Sequence, residues 1–366
     1  MGDIDKTAQV YELWARSYPR ESIPLGNLSV NLANLGQWEK ALPYAIEGNK
    51  LSPDDALTYL QVAGAYLGLE RSDEAKAILN QAIARKLDVA SYHALLYHVA
   101  FIQRDTASMA HELAILSSSS SQQAVSGYYS LAAGTEAYFG RFAKARELSQ
   151  KGDEHLSSLG EKEQLATARL GRARAEAQLG EAAAAKKDVT AGLAASSSYA
   201  AKADAAYVLA RAGDLARAES LCAELVKERP SDTMVNRVEV PNARAAIELN
   251  RNNPAKALEI LEPVKPYDLA RIPRMLGIYE RGEAYLALRR GKEAAAEYQK
   301  ILDHPGIVLN SMLGALAHLQ LGRAWAVAGD NSKARAAYQD FFALWKEADP
   351  DTPILKQAKA EYAKLQ

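Results

Sequence analysis

PLGNLSVNLANLGQWEKALPYAIEGNKLSPD, residues 24–54, decides the fold. Leu28, Leu32 and Leu35 recur at helical spacing, Gly36 breaks the run, and Ala41, Ala45 and Leu51 resume it before Pro53. Apolar residues three and four apart put one face of a helix against a neighbour. A glycine between two such runs ends one helix and turns the chain into the next. The following stretch keeps the frame with Val62, Tyr66, Leu69, Glu70, Ala75, Leu79 and Ile83. Ala41 to Ala75 is 34 residues, and so is Pro19 to Pro53.

The small residue early in the second helix can be followed along the chain. It falls at Ala41, Ala75, Met109, Ala145, Ala185, Ala218, Ala257, Ala294 and Ala334, with gaps of 34, 34, 36, 40, 33, 39, 37 and 40 residues. The excess over 34 belongs in loops between repeats, where insertion is tolerated. Five residues before the anchor stands Gly36, Gly140, Gly180, Gly213 or Gly329. In the other repeats Glu70, Arg104, Asn252 or Arg289 stands there, and those repeats are expected to be less regular. Two short antiparallel helices cannot bury their apolar faces alone, so stacked neighbours must share one core. The helices cross closely only over a small anchor. Met109 is the one large anchor, which makes the repeat around 88–116 the irregular one.

This frame resembles the tetratricopeptide repeat, and the resemblance covers nearly the whole chain. It implies an all-α solenoid, a right-handed superhelix of antiparallel helix pairs. The expected organisation is a half repeat (second helix only) or N-terminal cap at 1–20 and repeats at 21–116. A Ser-rich joint at 117–124, repeats at 125–350 and a capping helix at 351–366 follow. Tyr11, Trp14 and Pro19 place the first helix in the frame of a second helix. Thr352 and Pro353 open the last one, with Ile354, Leu355, Ala358, Tyr362 and Leu365 along one stripe.

Composition bounds the function. The chain has 366 residues with 44 Lys and Arg against 45 Asp and Glu, a formal charge of -1. No global field draws it to nucleic acid or an anionic membrane. A single cysteine, Cys222, excludes an internal disulfide. No apolar run is long enough to span a bilayer, and no secretory leader pattern is present.

Catalytic and metal signatures fail one by one. His93, His98, His111, His155, His304 and His318 show no HExxH spacing. Gly277 and Gly282 have phosphate-loop spacing, but Glu283 stands where lysine is required. Arg104–Asp105 lacks the flanking His and Asn of a kinase catalytic loop. Cys222 sits among Leu221, Leu225 and Val226 and reads as a packed small hydrophobe. No cofactor, metal or catalytic residue is expected.

What remains is surface. In this architecture the first helices line a concave groove. Read in frame, its positions include Asn34, Tyr138, Arg174, Tyr207, Arg211, Asn250, Tyr279, Glu283 and Arg323. Aromatic, amide and charged side chains together suit recognition of a protein or peptide. The lysine clamp that holds chaperone tails is missing beside Asn27, Asn31 and Asn34. Three stretches look narrower still: ALEILEPVKPYDLA at 257–270, ERGEAYLAL at 280–288 and ARAAYQDFFALWKEADPDTPILKQAKAEYAKL at 334–365. They are similar to the tetratricopeptide region that follows the kinase domain in bacterial serine/threonine protein kinases. Similar tails follow DNA-binding domains of bacterial transcription regulators. The first resemblance implies a non-catalytic scaffold of a signalling kinase, and the second a ligand-sensing or oligomerisation region. A soluble, cytoplasmic chain is expected rather than a periplasmic one. The kinase resemblance leaves a membrane-anchored parent open.

Overall fold

The computed structural model describes residues 2–272 and 275–365, and every regular element among them is a helix. α1 (Ile4–Ser17) comes first, followed by helix pairs. These are α2 (Ser22–Asn34) with α3 (Trp38–Leu51), α4 (Ala56–Gly68) with α5 (Ser72–Ala84), and α6 (Ala90–Ile102) with α7 (Thr106–Ser118). Next come α8 (Gln122–Tyr138) with α9 (Phe142–Leu159), α10 (Lys162–Gln178) with α11 (Ala182–Ala195), and α12 (Tyr199–Arg211) with α13 (Leu215–Glu228). A π-turn at Val235–Glu239 leads into α14 (Val240–Asn250), paired with α15 (Pro254–Leu261) and a 3-10 turn at Glu262–Tyr267. α16 (Leu276–Ala287) pairs with α17 (Gly291–Leu302), and one-turn α18 (Pro305–Val308) precedes α19 (Met312–Val327) with α20 (Asn331–Leu344). α21 (Pro353–Ala363) follows.

The turns explain the pairing. The residue five before each anchor has positive φ in all nine pairs, from 57° at Arg104 to 82° at Gly180. That left-handed residue swings the next N–H groups back onto the helix end. Gly36 N–H reaches Ala33 C=O at 3.0 Å and Gln37 N–H reaches Leu32 C=O at 2.9 Å. The pattern returns without glycine, where Arg290 N–H reaches Tyr285 C=O at 2.8 Å. The repeats turning on Glu70, Arg104, Asn252 and Arg289 are therefore as regular at the turn as the others, contrary to the expectation from sequence.

Eight anchors are buried in the second helices, seven of them completely. Met109 is half-exposed, and α7 instead buries Glu112 and Leu116. The fold is of the tetratricopeptide type. In the Ser-rich segment α7 runs to Ser118 and α8 starts at Gln122, so helix occupies both sides of residues 119–121.

The chain forms two compact units. The first comprises Met1–Tyr128 with two later segments, Pro266–Met275 and His304–Asn310. Trp38 Nε1 donates to Leu269 C=O at 2.8 Å, and Arg271 N–H to Ala33 C=O at 3.3 Å. Gly306 N–H donates to Glu70 Oε2 at 2.8 Å. Gly306 must be glycine, because a Cβ there would stand 1.9 Å from Leu67 C=O. Inside the same unit, His93 Nδ1 lies 2.6 Å from Glu112 of α7 and Nε2 lies 2.9 Å from Asp88.

The second unit comprises Tyr129–Lys265, Leu276–Asp303 and Ser311–Gln366. Its first turn meets the end of its last pair. Trp345 Nε1 donates to Tyr138 C=O at 2.9 Å, and Asp349 N–H to Gly140 C=O at 3.0 Å. Asp349 Oδ2 accepts from Ala143 N–H at 2.8 Å, and the Phe142 and Trp345 rings meet edge to face. Leu355 and Ala358 of α21 are buried, with Ile354, Tyr362 and Leu365 half-exposed along the same stripe.

Candidate interaction surface

The first helices of the second unit present one connected row of polar side chains. Arg174 of α10 pairs with Asp204 of α12. Arg211 of α12 grips both oxygens of Glu283 on α16, the Nη2 bond being 2.9 Å. That pair joins first helices two pairs apart, so on this face the helices come within side-chain reach across α14. Arg323 of α19 holds Glu361 of α21 at 2.8 and 3.1 Å, and Tyr338 donates to the same carboxylate at 2.9 Å. These ion pairs keep part of their surface in water.

Beneath them lie tyrosines. Tyr207 is 3% exposed and Tyr279 2% exposed, which corrects the expectation that both stand open in a groove. The helices crowd on this face, so rings four residues before Arg211 and Glu283 are driven inward. Tyr279 accepts from Gln320 Nε2 at 3.1 Å and meets Tyr298 edge to face at 5.5 Å. Burial pushes the Tyr279 hydroxyl up to about 12 and drives Tyr207 and Tyr298 well above the usual phenol range.

Two acids complete the row. Glu280 of α16 is wholly buried, and neither of its oxygens has a hydrogen-bond partner. Burial holds its carboxyl far above the usual carboxylate range against the pull of Arg211. Glu239, the last residue of the π-turn, is raised to about 7 by burial and by Asp204 and Asp232. Sequence reading missed Asp204, Glu239, Glu280, Gln320 and Glu361 as members of this row, whereas Tyr298 is the packed core tyrosine that its place in the repeat implies. The spacing of Tyr207 to Arg211 and of Tyr279 to Glu283 was a usable signal, since both four-residue steps keep one helix face.

The other expected groove residues do not join this row as contacts. Asn34 is half-exposed at the end of α2, in the first unit. The Tyr138 ring lies edge to face with Phe139 at 5.2 Å, and its carbonyl takes the Trp345 bond. Asn250 is exposed at the end of α14. Cys222 is wholly buried, and burial pushes its thiol up to about 12, so it carries no thiolate at neutral pH. Among the described residues no group of three or more His, Cys, Asp or Glu is placed to hold a metal ion. No described helix is long and apolar enough to cross a membrane.

Comparison with known proteins gives structural likeness alone. No family model matches the chain, and no curated protein matches it. It is similar to the crystal structure of yeast Tom70, at 13% identity and a TM-score of 0.43, over 99% of this chain and 92% of that one. It is also similar to the P58(IPK) TPR domain, at 16% identity and a TM-score of 0.29, over 94% and 98%.

Proposed function

We propose that the chain is a protein-interaction scaffold that binds a peptide or protein along the first helices of its second unit. The observation that supports this is the row Arg174–Asp204, Arg211–Glu283 and Arg323–Glu361. These pairs stand over buried tyrosines, mostly withdrawn from water but open at their outer edge, and their guanidinium groups have fixed directions. A partner carboxylate can share a fixed guanidinium at little entropic cost, and arginine is prominent in binding energy for that reason. Asn250 and Tyr138 extend the expected surface along the same unit, and Asn34 marks the corresponding position in the first unit. The test is capture of partners by the wild type, by Arg174→Ala/Arg323→Ala and by a control changed on a second-helix face, such as Lys187→Ala. Loss in the double variant alone, with unchanged melting, supports the reading. Equal capture by all three overturns it.

The finer reading is that the scaffold belongs to a bacterial serine/threonine kinase as its docking or substrate-recruiting region. Its support is the resemblance of 257–270, 280–288 and 334–365 to such regions. The reading frame upstream of residue 1 tests it: kinase-domain motifs there are expected, and a DNA-binding domain in their place would overturn it.

A further inference from the structure

We infer that the second unit holds a site for an alkylammonium group, supplied by a lysine side chain of the bound partner, at Glu280 and Tyr207. The inference rests on the reading that a partner lies along these first helices, and it names the group that the partner inserts. Glu280 stands three residues before Glu283 on α16, and Tyr207 four before Arg211 on α12. Residues three and four apart share a helix face. The Arg211–Glu283 pair that ties the two helices therefore brings the carboxyl and the phenol together beneath it. Tyr207 lies within electrostatic reach of Glu280. Glu280 is 0% exposed and Tyr207 3%. Yet neither carboxyl oxygen of Glu280 nor the Tyr207 hydroxyl has a hydrogen-bond partner. A buried polar group left unpaired is costly, and three such atoms on two helices held together mark a place where a ligand completes the bonding.

Charge selects the ligand. Both arginines that act on Glu280 are committed to other acids. Arg211 holds Glu283 with two nitrogens, and Arg281 holds Glu297 at 2.9 and 3.1 Å. Glu280 is thus a carboxyl without a cation of its own. An anion there would meet Glu280 and Glu283 together. A divalent metal would find too few ligands, since among the described residues no group of three or more His, Cys, Asp or Glu is placed to hold one. An organic cation meets both constraints. The site lies beneath a pair whose side chains are only 15% and 20% exposed, and a compact ammonium on a slender stem reaches it with less displacement than a planar guanidinium. The ammonium donates to the Glu280 carboxylate and to the Tyr207 oxygen. Without it, burial favours the acid form of Glu280. On binding, the carboxyl O–H bond breaks, its proton passes to the buffer, and an ammonium N–H takes its place at the oxygen.

The probe is Nα-acetyl-lysine methylamide, titrated into the full chain at pH 6 by calorimetry in two buffers of different ionisation heat. Saturable binding is expected with release of about one proton per chain, and the norleucine analogue, which has the stem without the charge, should not bind. Glu280→Gln should abolish the proton release and weaken binding about tenfold or more. Tyr207→Phe should weaken binding and leave the proton release in place, and it carries the test should Glu280→Gln fail to fold. Absence of saturable binding, equal binding of the norleucine analogue, or unchanged binding by Glu280→Gln overturns the proposal. Binding of free butylammonium without binding of the lysine amide overturns it too, since the site then takes a free amine. Arg174→Ala/Arg323→Ala spares both probe contacts. Loss of partner capture in that variant therefore tests the scaffold reading, and the lysine amide tests this one.

Discussion

Nine left-handed turn residues include only five glycines. A side chain in that conformation costs about 1–2 kcal/mol against glycine, less glycine's own loss of freedom on folding. Arg104 and Arg289 are exposed, so little besides the backbone changes on substitution. Arg104→Gly and Arg289→Gly should each raise stability by about 0.5–1 kcal/mol, read as a higher urea midpoint. Gly180→Ala is the converse. Nothing lies within 4 Å of a Cβ there, so the expected loss of about 1–2 kcal/mol reports φ alone. At the anchors, Ala185→Leu or Ala334→Leu inserts bulk at a wholly buried crossing and should cost about 1–3 kcal/mol. Glu280 gives a pH signature. Its folded carboxyl titrates above the unfolded one, so the folded state holds the extra proton. Stability from this group is fully present below the usual carboxylate range and is lost progressively as pH rises from there through the raised folded value. Glu280→Gln should therefore match the wild type near pH 4 and become progressively the more stable chain toward pH 8. A constant difference in urea midpoint across that range would exclude the assignment.

At the scale of elements, the third pair shows what replaces a small anchor. Met109 stays half-exposed, and His93 ties α6 to Glu112 of α7 and to Asp88. Both ring nitrogens lie within hydrogen-bond distance of a carboxylate. His93→Leu removes those bonds and leaves Glu112 inside without its partner. A loss of about 2–3 kcal/mol is expected, and a change below about 0.5 kcal/mol would mean that packing alone joins α6 to α7. The helix pairs and their turns were legible in the sequence because each is written locally, in a frame that repeats. The contacts of Trp38 with Leu269, Glu70 with Gly306 and Trp345 with Tyr138 were not. They join residues more than 200 positions apart, and a repeat frame specifies only neighbours. Burial of Tyr207 and Tyr279 was hidden for a related reason. The frame says which face of a first helix they occupy, and the closeness of the helices on that face decides whether it meets water.

For the whole molecule, a formal charge of -1 leaves no global field, so electrostatic interactions are set locally by pairs such as Arg211–Glu283. One contact carries the geometry of the second unit: first helices two pairs apart reach each other through Arg211 and Glu283. A double-mutant cycle measures that contact. Urea midpoints of the wild type, Arg211→Ala, Glu283→Ala and the double variant give the coupling. The pair holds two charge-assisted bonds and is largely withdrawn from water, so a coupling of about 1–3 kcal/mol is predicted. Single losses that simply add, with no coupling, would place α12 and α16 out of reach of each other and contradict the account.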